Sequence, residues 1–201
     1  MKNILVPIDF SAASHNAAKY AVSLAEIFNS KAIFLNVVAD SLIIDEEAAE
    51  ATISMRQELI VNNKDLMTKE IKAFSKNHKA KIQGYNEEGS PSDVIMAMAN
   101  EKKPDMIIMG MKGKGKSNSV FGSTVTAIVR KSSIPVLVIP ENAIYQSIDT
   151  ITFATDFDRG TGSESYSLLM EIAKKYSAFI QILNVQKIGK QMSDNEFVGK
   201  M

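Results

Sequence analysis

Gly110-Met111-Lys112-Gly113-Lys114-Gly115-Lys116-Ser117-Asn118-Ser119-Val120-Phe121-Gly122-Ser123-Thr124 decides how the rest of the chain reads. It follows the apolar run Met106 to Met109 and precedes a segment of helical character, Thr124 to Arg130. Glycines let a backbone turn its N–H groups inward without Cβ clashes, and a helix start adds partial positive charge. With Lys112, Lys114 and Lys116 the stretch reads as an anion cradle between strand and helix, the setting in which glycines hold phosphate. The plainer reading is a solvated glycine-lysine loop.

Two spacings compete within it. Gly110-x4-Gly115-Lys116-Ser117 satisfies the Walker A pattern. A loop of that type starts its helix at the Lys-Ser pair. Here Asn118, Ser119 and another glycine at 122 follow, so the helix is expected after Ser123. The second spacing takes Gly110-x2-Gly113, then eight residues, then Gly122-Ser123.

Outward from this loop the chain alternates strand and helix. The strand-like run Asn3 to Ile8 ends at Asp9, and Ser11 is a good N-cap for a helix over Ala12 to Asn29 with Ala17, Tyr20, Ala21, Leu24 and Phe28 on one face. Ala32 to Val38 is a continuous apolar strand. Glu46 to Lys76 reads as a long helix burying Ile53, Leu59, Ile60, Leu66, Ile71 and Phe74. Lys81 to Asn86 is a more polar strand, and Gly89-Ser90-Pro91-Ser92 starts a helix with Pro91 in its first turn. Asp105 to Gly110 is the fourth strand and Ile134 to Ile139 the fifth. Strands apolar throughout, separated by helices, mean a parallel sheet covered on both faces, with its ligand crevice at the carboxyl ends of the strands. Asp9, Val37 and Gly110 all fall at such ends. Pro7 costs a ladder hydrogen bond, which suits either an irregular strand end beside a ligand or an edge position.

Composition narrows the classes. The 201 residues are 45% hydrophobic and carry 23 basic and 23 acidic side chains, so nothing points to nucleic acid or an anionic membrane. There is no cysteine, which removes disulfides, thiolate metal sites and cysteine nucleophiles. No apolar stretch approaches the ~20 residues that span a bilayer, and no signal-peptide pattern opens the chain. A cytoplasmic protein is expected. His15 and His78 lie too far apart in sequence for a metal site, Glu87-Glu88 reads as a solvated turn, and the methionines between positions 94 and 111 read as core filling.

A repeat follows the fifth strand. Ile151-Thr152-Phe153-Ala154-Thr155-Asp156-Phe157-Asp158 echoes Ile4-Leu5-Val6-Pro7-Ile8-Asp9-Phe10-Ser11, and Leu183-Asn184-Val185 echoes Leu35-Asn36-Val37 with one residue inserted between. Ser163 to Ser177 is again helical in period. The expected organisation is a complete domain over residues 1–141 and a partial second repeat, strand–helix–strand, over 148–201. Two strands cannot bury both of their faces. The second repeat is therefore either part of a longer tandem protein or packed on another surface.

Taken in order, Val6 to Ser11, Leu35-Asn36-Val37, the spacing from Gly110 to Ser123, and Ile134-Pro135-Val136-Leu137-Val138-Ile139-Pro140 resemble a universal stress protein domain. The ATP-binding members of that family carry Gly-x2-Gly-x9-Gly-Ser/Thr, and this chain is one residue short in the middle segment. The resemblance implies an α/β fold, a doubly wound, Rossmann-like five-stranded parallel sheet, that binds ATP, ADP or AMP, with or without Mg. It implies that Asp9 contacts the ribose and that backbone near Pro7, Ile8 and Val37 frames the adenine. Met109, Gly110, Lys112, Gly113, Gly122, Ser123, Thr124 and Val125 would surround the phosphates. It also implies a homodimer paired through the fifth strand, Pro135 to Ile139. No general base or activated nucleophile stands next to the loop in sequence, so the expectation is a nucleotide-binding regulator with at most slow ATP hydrolysis. The alternatives are a Walker-type NTPase using Lys116, Ser117 and Asp156, and a nucleotide-free dimeric scaffold of the same fold.

Overall fold

The computed structural model describes residues 1–39, 49–112, 121–155 and 163–184. The chain divides into two compact units, Met1–Tyr145 and Gln146–Met201.

The first unit opens with β1 (Asn3–Pro7), whose Ile4, Leu5 and Val6 are fully buried. Helix α1 (Ala12–Phe28) starts where expected because Ser11 and Ser14 form a capping box, Ser11 Oγ accepting from Ser14 N–H and Ser14 Oγ from Ser11 N–H. It ends at Asn29, a left-handed residue with φ 51° whose N–H reaches back to the carbonyls of Ala25 and Glu26. Then come β2 (Lys31–Val38), α2 (Ala49–Asn77), β3 (Lys81–Glu88), α3 (Pro91–Lys102), β4 (Met106–Gly110), α4 (Ser123–Lys131) and β5 (Val136–Ile139). The five strands are all parallel, in the order β3-β2-β1-β4-β5. The fold is thus the doubly wound five-stranded α/β sheet.

One face of the sheet packs on α3 and α4 through Leu5, Ile33, Leu35, Ile95, Met98, Ile107, Met109, Val125 and Ile128. At about 1.5–3 kcal/mol for each fully buried large apolar side chain, this layer supplies much of the stabilisation. The other face carries α1 and α2, with Phe34 of β2 meeting Phe74 of α2 edge-on at 5.8 Å. The buried side of α1 is mostly alanine (Ala13, Ala17, Ala18, Ala21 and Ala25), which brings the helix close to the strands, while Tyr20 and Phe28 are only half-buried. Closeness is greatest at Gly110, where an added Cβ would lie 2.7 Å from the backbone carbon and oxygen of Ala13. The amino end is pinned by Asp105, whose Oδ2 accepts from the N–H groups of Lys2 (2.6 Å) and Asn3 (2.9 Å).

Three expectations need correction. Helix α2 does not bury the side proposed for it: Met67 and Phe74 are buried, Ile60, Leu66 and Ile71 are half-buried, and Ile53 and Leu59 are exposed. The reason is geometric. Arg56 pairs with Glu88, the last residue of β3, at 2.7 Å, so the helix N-terminal to Arg56, Ile53 included, runs past the end of the strand, and Leu59 lies less than one turn beyond that pair. Glu87 and Glu88 accordingly belong to β3 and not to a turn. Pro7 is not on an edge, since β1 is the central strand. Ile8 N–H bonds to Leu35 O on the β2 side. Alternation then turns the Pro7 backbone toward β4, beyond the last β1–β4 pair, Leu5 with Ile107. Its missing donor falls where the two strands separate.

The second unit contains β6 (Thr150–Ala154), α5 (Ser163–Tyr176) and β7 (Phe179–Leu183), with β6 and β7 parallel. Its hydrogen bonds reproduce those of β1–α1–β2. Asn36 Nδ2 donates to Ile8 O (2.8 Å) and Asn184 Nδ2 to Thr155 O (2.6 Å). Ile8 N–H donates to Leu35 O, and Thr155 N–H to Leu183 O. Asn29 and Ser177, each just past its helix, share the left-handed conformation. Unlike its counterpart in the first unit, this sheet leaves Phe179, Ile182 and Leu183 exposed.

Candidate functional site

Strand order reverses between β1 and β4, and a cleft of about 790 Å³ opens there at the carboxyl ends of the strands. Pro7, Ile8 and Asp9 line it from the end of β1, Val37 from β2, and Met109 and Gly110 from β4. Lys112 comes from the following turn, and Gly122, Ser123, Thr124 and Val125 from the start of α4. These are the residues the sequence nominated, save Gly113, which lies outside the described residues with Lys114, Lys116, Ser117 and Asp156.

The turn from β1 to α1 shapes one wall. Asp9 Oδ1 accepts from Ser11 N–H at 3.0 Å, and Phe10 takes the left-handed region at φ 59° to bring the chain round. Ser11, not Asp9, is the N-cap.

The opposite wall is built by hydrogen bonds that fix where the loop leaves and returns. Met111 N–H donates to Ile139 O (2.9 Å), and Gly122 N–H donates to Met111 O (3.0 Å). Gly122 is the N-cap of α4 and offers no side-chain acceptor, nor is there an acidic residue in the first turn. The first N–H groups of the helix therefore have no intrahelical partner and, among the described residues, no side-chain cap, and their residues line the cleft. With the helix dipole behind them and Lys112 exposed alongside, they make this wall receptive to an anion. Between the walls, Leu35, Val37, Ile95, Met109 and Val125 give an apolar floor suited to a planar ring.

The glycine at 110 has a different reason from the one the sequence suggested. It is required by the backbone of α1, not by a turn, and its φ is not positive. Ser14, Leu35, Ala39, Pro91 and Ile95 also line the cleft and were not anticipated. Leu35 could have been found, since it shares a sheet face with Val37 two residues on. Ala39 directly follows β2, and Ser14, Pro91 and Ile95 depend on how α1 and α3 pack. Among the described residues no group of His, Asp and Glu could hold a metal ion, and no helix is long and apolar enough to cross a membrane.

A five-stranded parallel sheet with a helix N-terminus at its switch point defines a doubly wound α/β protein. Residues 1–140 match the universal stress protein family, and the chain belongs to that family. The universal stress protein MJ0531 of Methanocaldococcus jannaschii is 31% identical over 139 residues, which cover 69% of this chain and 81% of that protein. The solved structure of MJ0577, from the same organism, is 27% identical with a TM-score of 0.61, covering 69% of this chain and 95% of the other. UspA from Lactobacillus plantarum is 25% identical with a TM-score of 0.64, covering 69% and 97%.

Proposed function

We propose that the chain is a cytoplasmic regulatory protein that binds an adenine nucleotide, ATP or its ADP and AMP relatives, in the cleft between β1 and β4. The observation that carries this reading is that the N-terminus of α4, with no side-chain cap among the described residues, lines one cleft with Asp9 and an apolar floor. In it the phosphates rest on the N–H groups of Ser123, Thr124 and Val125 and on Lys112. The ribose hydroxyls donate to Asp9, and the base lies against Val37 beside Pro7 and Ile8. A universal stress protein that shares this fold, 20% identical with a TM-score of 0.51, was crystallised in complex with cAMP. Asp9 is the one carboxylate lining the cleft among the described residues, so phosphate oxygens and water would provide most ligands to a Mg ion arriving with the nucleotide. Among the described lining residues no histidine stands beside the Ser14, Ser123 or Thr124 hydroxyls to activate them, which suits a protein acting through occupancy and partner contacts. The edge of β5 is the surface through which two chains would pair, since its apolar Val136 to Val138 are only half-buried. The second unit, a partial copy without a glycine loop, leaves one nucleotide per chain.

The test is denaturation of the purified protein followed by chromatography of the released small molecules, with a titration by labelled ATP. A stoichiometry near one and loss of affinity in Asp9→Ala support the reading. No bound nucleotide and no saturable ATP binding would leave the nucleotide-free scaffold.

A further inference from the structure

A second cavity, of about 520 Å³, lies on the other helical layer, between α1, the end of α2 and the segment that follows β5. It shares no lining residue with the cleft. The chain has two histidines, and both line this cavity, His15 from α1 and His78 from just beyond α2. Far apart in sequence, they both pack against the Phe74 ring, with centroid separations of 5.2 and 6.2 Å.

Each imidazole is oriented by a carboxylate. His15 Nδ1 lies 2.5 Å from Glu70 Oε1, and His78 Nδ1 lies 3.0 Å from Glu26 Oε2. The hydrogen bond from His78, with one from the N–H of Lys79, holds the Glu26 carboxyl below the usual carboxylate range, so it stays a counter-ion. Neither glutamate lines the cavity. Its ionisable lining is the two imidazoles, the Lys19 ammonium and the Tyr145 phenol. With both Nδ1 atoms committed, Nε2 is the ring nitrogen left on each, and it has no hydrogen-bond partner among the described residues. An imidazole Nε2 that carries a proton can donate it to an oxyanion.

The third wall is tied down as well. Asn16 Nδ2 donates to the carbonyls of Pro140 (3.1 Å), Glu141 (3.2 Å) and Ala143 (2.8 Å), and Tyr20 donates to Ile144 O (2.7 Å). This wall contributes Ile144, 82% exposed, to a lining that also holds Phe74. The Lys19 ammonium and two imidazole Nε2 atoms beside apolar Phe74 and Ile144, with no carboxylate in the lining, select a definite chemistry.

We propose that this cavity is a second ligand site, for a small molecule bearing one oxyanion group, phosphate or carboxylate, on an apolar body. The oxyanion is held by Lys19 and the two imidazoles, and the body lies between Phe74 and Ile144. The site does not depend on the nucleotide reading of the cleft.

Because the chain has two histidines, their ring protons give two resolvable signals in a proton NMR spectrum, and binding can be followed at the site itself. Titrating the full chain with phenyl phosphate, and separately with benzoate, should shift both signals saturably with at least one probe, and which probe does so tells the two oxyanions apart. Lys19→Ala and His78→Gln, each checked for folding by circular dichroism, should each weaken that binding by about tenfold, as expected for loss of one charge-assisted contact. Inorganic phosphate should bind more weakly than phenyl phosphate, and the shifts should persist with ATP in excess. Failure of both signals to move by about 10 mM probe, the weak end of specific binding, would overturn the proposal. So would shifts that both variants leave unchanged, or loss of the shifts on adding ATP.

Discussion

Replacing Gly110 by alanine tests how closely α1 is fitted to the sheet. The added Cβ would stand 2.7 Å from the backbone carbon and oxygen of Ala13 and 3.1 Å from its Cβ. Ordinary van der Waals contact would require the first turn of α1 to retreat by roughly 1 Å, and neither a backbone carbonyl nor a buried alanine has a rotamer through which to yield. Retreat would loosen the row from Ala13 to Ala25 against the strands. Overpacking of this kind costs about 1–3 kcal/mol, and the upper end applies because the obstacle is main chain. For a chain of this size, about 3 kcal/mol is a fall in melting temperature of about 6–12 °C. Gly84→Ala is the control. There the added Cβ meets Ile71 Cδ1 at 2.7 Å and Met67 Cγ at 2.8 Å, both parts of flexible side chains that can swing aside. Urea and thermal melts followed by circular dichroism should therefore rank Gly110→Ala well below Gly84→Ala. If Gly110→Ala melts within about 0.5 kcal/mol of the parent, or if Gly84→Ala is the worse of the two, the reasoning fails.

Other consequences are open to measurement. Ser11→Ala removes half of a reciprocal cap and should cost about 1 kcal/mol of stability, and an unchanged urea midpoint would show that the cap is idle. Burial raises the pKa of Asp105, but the N–H groups of Asn3 and Lys2 and the charge of the N-terminus outweigh it and hold the carboxyl below its ordinary value. With the folded pKa below the unfolded one, its contribution is present above the ordinary carboxylate range and lost as pH falls through the folded value. Asp105→Asn should accordingly flatten the acid limb of stability against pH, and an equally steep limb would refute the assignment. Deleting residues 146–201 should preserve ATP affinity while altering solubility or oligomeric state, because the exposed Phe179 and Leu183 go with them. A deletion that destroys binding would place part of the site in the second unit.

The sequence disclosed features whose cause is local. Apolar runs marked the strands, Ser11 and Pro91 marked helix starts, and the spacing Gly122-Ser123 marked the start of α4, each within a few residues. Convergence of Asp9, Val37 and Gly110 followed from a general rule about strand ends. What escaped depends on the distance between elements. At about 1.5 Å per residue α2 is about 43 Å long, while β3 beneath it reaches about 26 Å, and periodicity along the helix carries no record of that difference. The meeting of His15 and His78 is likewise a product of helix packing. So is the demand for glycine at 110, which sequence alone attributed to the loop.

The bond between Gly122 N–H and Met111 O closes the glycine loop at its base. β4 and α4 are therefore held in register by the closure itself, whatever number of residues runs between them. Adding or removing one residue from a loop of this size changes its closure entropy by only about 0.1 kcal/mol. The length of the segment between Gly113 and Gly122 can therefore change by a residue at little cost to the sheet or to the start of α4. Selection can lengthen, shorten or recompose it to suit a ligand while the sheet and the helix start stay where they are.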